Sequence, residues 1–408
     1  MSVESSLRTI AEREPEVRAF TYRVPEAEVL AEAARAAADG GPLAGVTVAV
    51  KEIIDVAGLP VTYGSPLYAD RIAERDAASV ALLRAAGAVV VGMVTTTPYA
   101  CGTTTATRNP HALDHTPGGS SAGSGAAVGA GMVRLALGSQ SQASTLRPAS
   151  YCGAWGFKPS HLALPRDGMH LLADTLDDLG VFADTIDTLS AAVAVLRGEA
   201  TDPTPADVTS RPLRIGRLRL DDGGLPRPAT RQALDDLVAR LGADPAVEVS
   251  EHTADLDAMD AALAGSGQTC FDVFAGESAA TLRGYVAAGE PDPRLAEMVT
   301  HADRIGPVGL ADARAHRGRL RAQWAGLAEH YDVLITHAVV NPAPPGHAGT
   351  GDRRMPATSS LLGIPALSAP WMSVEGLPHG AQLLGFEGRD TDLLAVARRL
   401  AALEEETR

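Results

Sequence analysis

Several protein classes are excluded by what the chain has little of. Its 408 residues include 3 cysteines, Cys101, Cys152 and Cys270, widely spaced and without a CxxC pair. That pattern argues against a disulfide framework and against a structural zinc site. Aromatic residues make up 4% of the chain, which leaves little material for an aromatic-lined tunnel around a long acyl group. No apolar run approaches the roughly 18 to 20 residues of a membrane span. The N-terminal MSVESSLRTIAEREPEVRAF has no apolar core of a secretory leader and reads as a polar amphipathic helix. Basic residues are outnumbered, 35 Lys and Arg against 50 Asp and Glu, a formal charge of −15. Such a chain is not expected to offer a general nucleic-acid surface or an anionic-membrane patch. A cytoplasmic protein is expected.

What is present is ordinary for a globular α/β protein: 45% apolar and 21% charged residues. The length suffices for a full core without disulfides or metals, whether as one large domain or as two to three of about 150 residues. Residues 1–41 read as helices, ending in the Ala-rich AEVLAEAARAAADGG with Gly40 and Gly41 as the stop. GVTVAVKEIID, residues 45–55, alternates and is rich in Val and Ile, a strand signal. Residues 75–96 read as an amphipathic helix, a Gly turn and a buried strand, the rhythm of an α/β layer architecture. MVRLALGS, YDVLITHAV and HGAQLLGF are further strand candidates, and TDLLAVARRLAALEEE a closing helix. EATDPTPADVTSRP, residues 199–212, reads as a surface connection, and residues 339–360 as a long structureless loop of the kind that lines sites.

The chemistry-bearing stretch runs from Lys51 to Pro159. A lysine inside the apolar strand VAVKEII is unusual, because charge is costly to bury. It reads either as an edge-strand lysine turned to solvent or as a desolvated base able to lose its proton near neutral pH. Alternation puts Glu52 on the opposite face, so Glu52 need not hold that charge. Gly118-Gly119-Ser120-Ser121-Ala122-Gly123-Ser124 permits tight backbone geometry, but no lysine follows as in a P-loop and the glycine spacing is wrong for GxGxxG. The remaining readings are a turn presenting a serine at a helix head, and a small-residue helix packed closely on a sheet. Gly138 to Pro148, GSQSQASTLRP, is a third polar, small-residue segment. Cys152, in YCGAWGF, reads as a small buried residue. His111, His115 and His161 show no paired metal spacing and read as loop or supporting residues.

Together, VAVKEIID, PGGSSAGSGAAVGAG and GSQSQASTLRPASYCGAWGFKPS resemble the amidase signature family in residues, order and spacing. NPHALDHTPGGSS, DTLDDLGVFADTIDTL and GLPHGAQLLGF extend the likeness over most of the chain, with 213–330 matched weakly. Within the family, Leu146-Arg147 after the serine at 144 is similar to the malonamidase-like branch. The resemblance implies an α/β fold of one large domain, a mixed sheet covered by helices. It implies an amidohydrolase with Lys51 as base, Ser120 as a bridging serine in a cis peptide with Gly119, and Ser144 as nucleophile. The backbone N–H groups of Ser141, Gln142, Ala143 and Ser144 would form the oxyanion hole, with no cofactor and no metal. Arg147 would either clamp a substrate carboxylate or hold the loop through backbone carbonyls, and Gln142 would narrow the acyl pocket or donate its amide to substrate. Lys158 would support structure.

One departure from the family is plain. Gln142-Ala143 stands where a Gly-Gly or Ala-Gly pair is usual, which matters if the loop needs positive φ there. The implied organisation is N-terminal helices to residue 41, a catalytic core over 42–198, a peripheral region over 213–330 that shapes the pocket, and a return to the sheet over 331–408. The expected partners are a small-molecule amide and a second copy of the chain as a homodimer. Other readings remain: an acyltransferase in which an amine replaces water, a glutaminase subunit of a tRNA-dependent amidotransferase, and a non-catalytic module with a decayed site.

Overall fold

Eleven strands form one mixed sheet in the computed structural model, which describes residues 1–199, 211–220 and 226–407. Residues 200–210 of the connection expected at 199–212 lie outside the described residues. In chain order the strands are β1 (Phe20–Arg23), β2 (Thr47–Lys51), β3 (Val89–Val94), β4 (Leu135–Gln140), β5 (Trp155–Lys158) and β6 (Asp178–Ala183). They continue as β7 (Leu213–Arg217), β8 (Val247–Ser250), β9 (Val333–His337), β10 (Ala366–Val374) and β11 (Leu377–Leu384). Across the sheet the order is β1-β3-β2-β4-β6-β5-β10-β11-β9-β7-β8. β3, β2 and β4 run parallel, β6, β5, β10 and β11 alternate antiparallel, and β9, β7 and β8 are parallel again.

The fold is the expected single α/β domain, and the hydrophobic pattern explains the arrangement. β2, β3 and β4 are buried along their whole length, as central strands covered on both faces must be. One core lies on the face of the Ile186–Arg197 and Asp390–Thr407 helices. A second gathers Phe274, Met298, Trp324 and Leu361 from the helices after residue 250. Among the described residues no helix is long and apolar enough to cross a membrane.

Three local expectations are corrected. Residues 1–41 are not all helical: between helices Val3–Val17 and Glu26–Asp39, FTYR forms β1, pairing antiparallel with β3 at the sheet edge. Alternating Phe20 and Tyr22 favour a strand once an edge is available. The loop expected at 339–360 closes early, because Arg354–Leu362 is helical. Pro356 does not prevent this, since it sits in the first turn, where a missing N–H costs no intrahelical bond. Strands β5, β6 and β10 are too short or too uniformly apolar to announce themselves by alternation.

The small-residue helix Ala122–Gly129 packs directly against the Leu146–Cys152 helix and against β4. A Cβ at Gly129 would stand 2.1 Å from the Cys152 carbonyl oxygen, which is backbone and cannot swing away. Gly129→Ala is therefore expected to lower stability by about 1–3 kcal/mol through overpacking. Gly284, with open space around its Cβ position in the Ser266–Ala287 helix, provides the contrast: Gly284→Ala is expected to be neutral or to stabilise by up to about 1 kcal/mol. Thermal unfolding of the two variants checks both directions.

Candidate active site

The carboxyl ends of three parallel strands meet at one point, as ligand sites do in α/β sheets. Lys51 is the last residue of β2, Ser139 lies near the end of β4, and Thr95–Thr97 follow β3. Lys51 is fully buried, and its Nζ lies 2.7 Å from Ser120 Oγ, 2.8 Å from Ser139 Oγ and 3.0 Å from Ser121 Oγ. Burial pulls its ionisation down from 10.5 to about 7, against the opposing attraction of Asp177. The solvent-facing edge lysine is thereby ruled out. Glu52 accepts a hydrogen bond from Thr62 Oγ1 at 2.7 Å, and its charge ranks below that of Asp177 in its effect on Lys51.

The hydroxyl geometry matches a neutral amine. Ser121 Oγ donates to the Ser139 carbonyl at 3.2 Å, so towards Lys51 it acts as an acceptor. A neutral Nζ has two N–H donors and one lone pair. With Ser121 and Ser139 accepting, the lone pair is left for the Ser120 hydroxyl. The Gly119–Ser120 peptide is cis.

Ser120, Ser144, Gln142 and Arg147 all line one cavity of about 520 Å³. Ser144 is half-buried there. Its loop is fixed from below by Gln140, whose Oε1 accepts from Thr145 N at 3.0 Å and Leu146 N at 3.1 Å. Among the described residues the backbone N–H groups of Gln142, Ala143 and Ser144 form no hydrogen bond, so a buried row of donors borders the cavity. Neither Gln142 nor Ala143 has positive φ; the non-glycine pair carries no backbone strain. The Gln142 Oε1 is buried without a partner among the described residues.

Arg147 is 7% exposed. Its Nη1 donates to Gly351 O at 2.6 Å, and its Nη2 to Gly119 O at 2.6 Å and Thr350 Oγ1 at 2.9 Å. The guanidinium thus ties the residue before Ser120 to the 350 loop, while its Nε remains buried without a partner among the described residues.

Other candidates fall outside the site. Lys158 is fully buried, donating to Pro159 O and pairing with Asp178 at 3.3 Å. Cys152 is buried and its Sγ–H donates to Pro117 O at 3.4 Å; burial pushes its thiol up, which disfavours a thiolate. His111 bonds the Cys152 carbonyl at 2.9 Å, while His115 and His161 pair with Asp114 and Asp178. Among the described residues no group of three or more His, Cys, Asp or Glu is placed to hold a metal ion.

Sequence reasoning passed over Asp177. It is buried, accepts from Ser141 Oγ, Leu172 N at 2.6 Å and Ala173 N at 2.9 Å, and burial pushes it up to about 6. It anchors the first residue of the Ser144 loop and is the strongest charge acting on Lys51. A simple census also carried a signal: the chain has only two lysines, Lys51 and Lys158, and both are buried at the core of this region. An arginine-rich chain that keeps lysine at two buried positions uses it where a titratable amine or a compact point charge is needed.

The comparisons agree with this geometry. The Amidase family model matches residues 1–394. The amidotransferase of Thermus thermophilus that acts on glutamyl-tRNA(Gln) has a subunit 32% identical to this chain, over 99% of this chain and 93% of that protein. The corresponding subunit of Methanothermobacter thermautotrophicus is 29% identical, over 98% and 95%. A solved amidase superposes with TM-score 0.84 at 27% identity, covering 98% of this chain and 95% of its own. The 6-aminohexanoate cyclic dimer hydrolase with bound substrate superposes with TM-score 0.79 at 26% identity, covering 98% and 92%. With the buried lysine, the cis Gly119–Ser120 peptide and the serine-lined cavity in one place, the chain belongs to the amidase family, enzymes that act on amide C–N bonds.

Proposed function

We propose that the protein hydrolyses a small carboxamide through a Ser144–Ser120–Lys51 relay and an acyl-enzyme. The observation that carries the reading is the fully buried Lys51 amine, within 2.7 Å of the Ser120 hydroxyl and ionising at about 7. A serine hydroxyl is too weak a nucleophile without an adjacent base. Ser144 Oγ attacks the amide carbon as its proton passes to Ser120 Oγ and the Ser120 proton passes to Lys51 Nζ. The carbonyl oxygen takes the negative charge against the free N–H row of the loop. Collapse of the adduct breaks the C–N bond, and Ser120 hands a proton to the leaving amine while recovering one from Lys51. Water, activated by the same relay, then hydrolyses the ester and restores Ser144.

Residues 213–330 contribute to the pocket in this reading, because Phe274, Arg294 and Met298 line the cavity. The likeness to the malonamidase branch rests on Leu146-Arg147 alone, and the two Nη groups of Arg147 are engaged by Gly119, Thr350 and Gly351. That supports the loop-holding role for Arg147 over the carboxylate clamp.

A second reading, a glutaminase subunit of an amidotransferase, is favoured by the names of the relatives. The two separate on the chain alone: the purified protein is expected to release ammonia from small primary amides without partners. Release only on reconstitution with further subunits would establish the second reading.

Ser144→Ala is expected to lower kcat by about 10⁴-fold or more, and Ser120→Ala and Lys51→Ala by comparable amounts. The double variants should be little worse than the singles, because the three act as one unit. Single-turnover kinetics with a chromogenic amide, and labelling of wild type but not Ser144→Ala by a serine-reactive phosphonate, check this; near wild-type rates in Ser144→Ala would refute the assignment.

The pH dependence has a definite sign. Neutral Lys51 is the active form, so kcat/KM should rise about tenfold per pH unit up to about 7 and level off above it. The same shift bears on stability: between about 7 and 10.5 the unfolded chain holds a proton at Lys51 that the folded chain does not, so the native state gains stability as pH rises through that window. Lysine-selective ¹³C labelling should give two side-chain signals, one titrating near 7. Two signals that both titrate above pH 9 would contradict the neutral base.

A further inference from the structure

The cavity that holds Ser120 and Ser144 carries an excess of positive charge in a protein of net charge −15. Among the described residues its wall includes Arg147, Arg294, Arg353 and Arg354 against Asp260 and Asp352. Arg354 is spoken for by Asp352, with Nη2 to Oδ2 at 2.7 Å. Arg294 and Arg353 are different: among the described residues neither side chain forms a hydrogen bond or an ion pair. Arg353 is held by stacking, its guanidinium 4.2 Å from the centre of the Phe271 ring. Stacking leaves the edge of the planar fork, with its N–H donors, unspent.

The groups are close enough to repel. Burial and then the charge of Arg294 press the proton affinity of Arg353 down. Burial does the same to Arg147, and Arg294 and Arg353 add to it. Like charges drawn together and half-withdrawn from water, with donors unused, are unfavourable until an anion completes them. A carboxylate matches a guanidinium fork and takes charge-assisted hydrogen bonds from two forks at once. The cavity, about 520 Å³, falls in the range that accepts a whole small molecule.

We propose that Arg294 and Arg353 form the anion receptor of the pocket, so that the preferred substrate is a primary amide whose acyl chain ends in a carboxylate away from the scissile bond. This rests on the reading of Ser144 as nucleophile. Arg147 is a positioning residue here: by bonding Gly119 and the Thr350–Gly351 segment it fixes the loop that carries Arg353 beside the relay. The bound anion then sets where the amide carbon lies relative to Ser144.

The test separates binding from turnover. In Ser144→Ala, calorimetry compares glutaramate with the neutral glutaramide, and adipamate with adipamide, at low salt. At least one anion is expected to bind about 10- to 100-fold tighter than its neutral partner, the scale of a charge-assisted contact. That preference should fall at least tenfold in Arg294→Gln and Arg353→Gln and be partly kept in Arg353→Lys, with each variant's unfolding checked to confirm a folded chain. Equal affinity for both pairs, preference surviving in both Gln variants, or inorganic phosphate binding tighter than either carboxylate would overturn the proposal. The outcome is distinguishable from failure of the nucleophile reading. Selective binding in Ser144→Ala alongside a wild type that takes no phosphonate label would refute that reading and leave the receptor standing.

Discussion

An amine without water is the constraint around which the site is organised. Lys51 ends a strand flanked on both sides by parallel neighbours, so its side chain emerges inside the sheet's covered end. Burial there disfavours the ammonium form strongly enough to bring ionisation to about 7. Three serine hydroxyls replace the lost hydration, and they come from two separate segments: Ser120 and Ser121 before one helix, and Ser139 near the end of β4. Each of these segments must therefore hold its place for the lysine to be tolerated, and holding that place is also what aligns the relay. Stability and chemistry impose the same geometry at this point.

The second level of organisation holds the loops. Gln140 fixes the Ser144 loop from β4, Asp177 anchors Ser141 from the segment before β6, and Arg147 ties Gly119 to residues 350 and 351. These groups are buried and spend their hydrogen bonds on backbone or on one another, so the first ring around Ser144 is preorganised rather than assembled by substrate. The cavity beyond is left with what that ring does not use: the N–H row of Gln142–Ser144, and guanidinium groups whose charge opposes the acidic balance of the whole chain. Charge of one sign in a recess of an oppositely charged protein concentrates the field on the ligand.

The legible parts of the sequence were those whose signal is local. VAVKEIID, PGGSSAGSG and GSQSQAST each compress their meaning into about ten residues, so the relay residues and the parallel strands β2 and β4 could be read directly. β1 was hidden among helical neighbours, because four residues are too few for a period to outweigh Ala-rich flanks. β5, β6 and β10 are buried on both faces and show no alternation. The early close of the 339–360 loop turned on Pro356 falling in a helix's first turn, which only the fold places there.

By itself the sequence determined that an acidic, cysteine-poor α/β chain carries Lys51, Ser120 and Ser144 in motif order, because each motif's backbone requirement is met by its own glycines and small residues. What Arg147 touches was decided only in three dimensions, since two of its partners, Thr350 and Gly351, lie more than 200 residues away in sequence. The meeting of Arg294 and Arg353 with the nucleophile loop was decided in the same way. So was the harmlessness of Gln142-Ala143, where a φ angle settles what residue identity left open. Burial decided the state of Lys51. Spacing states that a lysine is present; only the packing of β3, β4 and the serine segments around it removes the water that would have kept it charged.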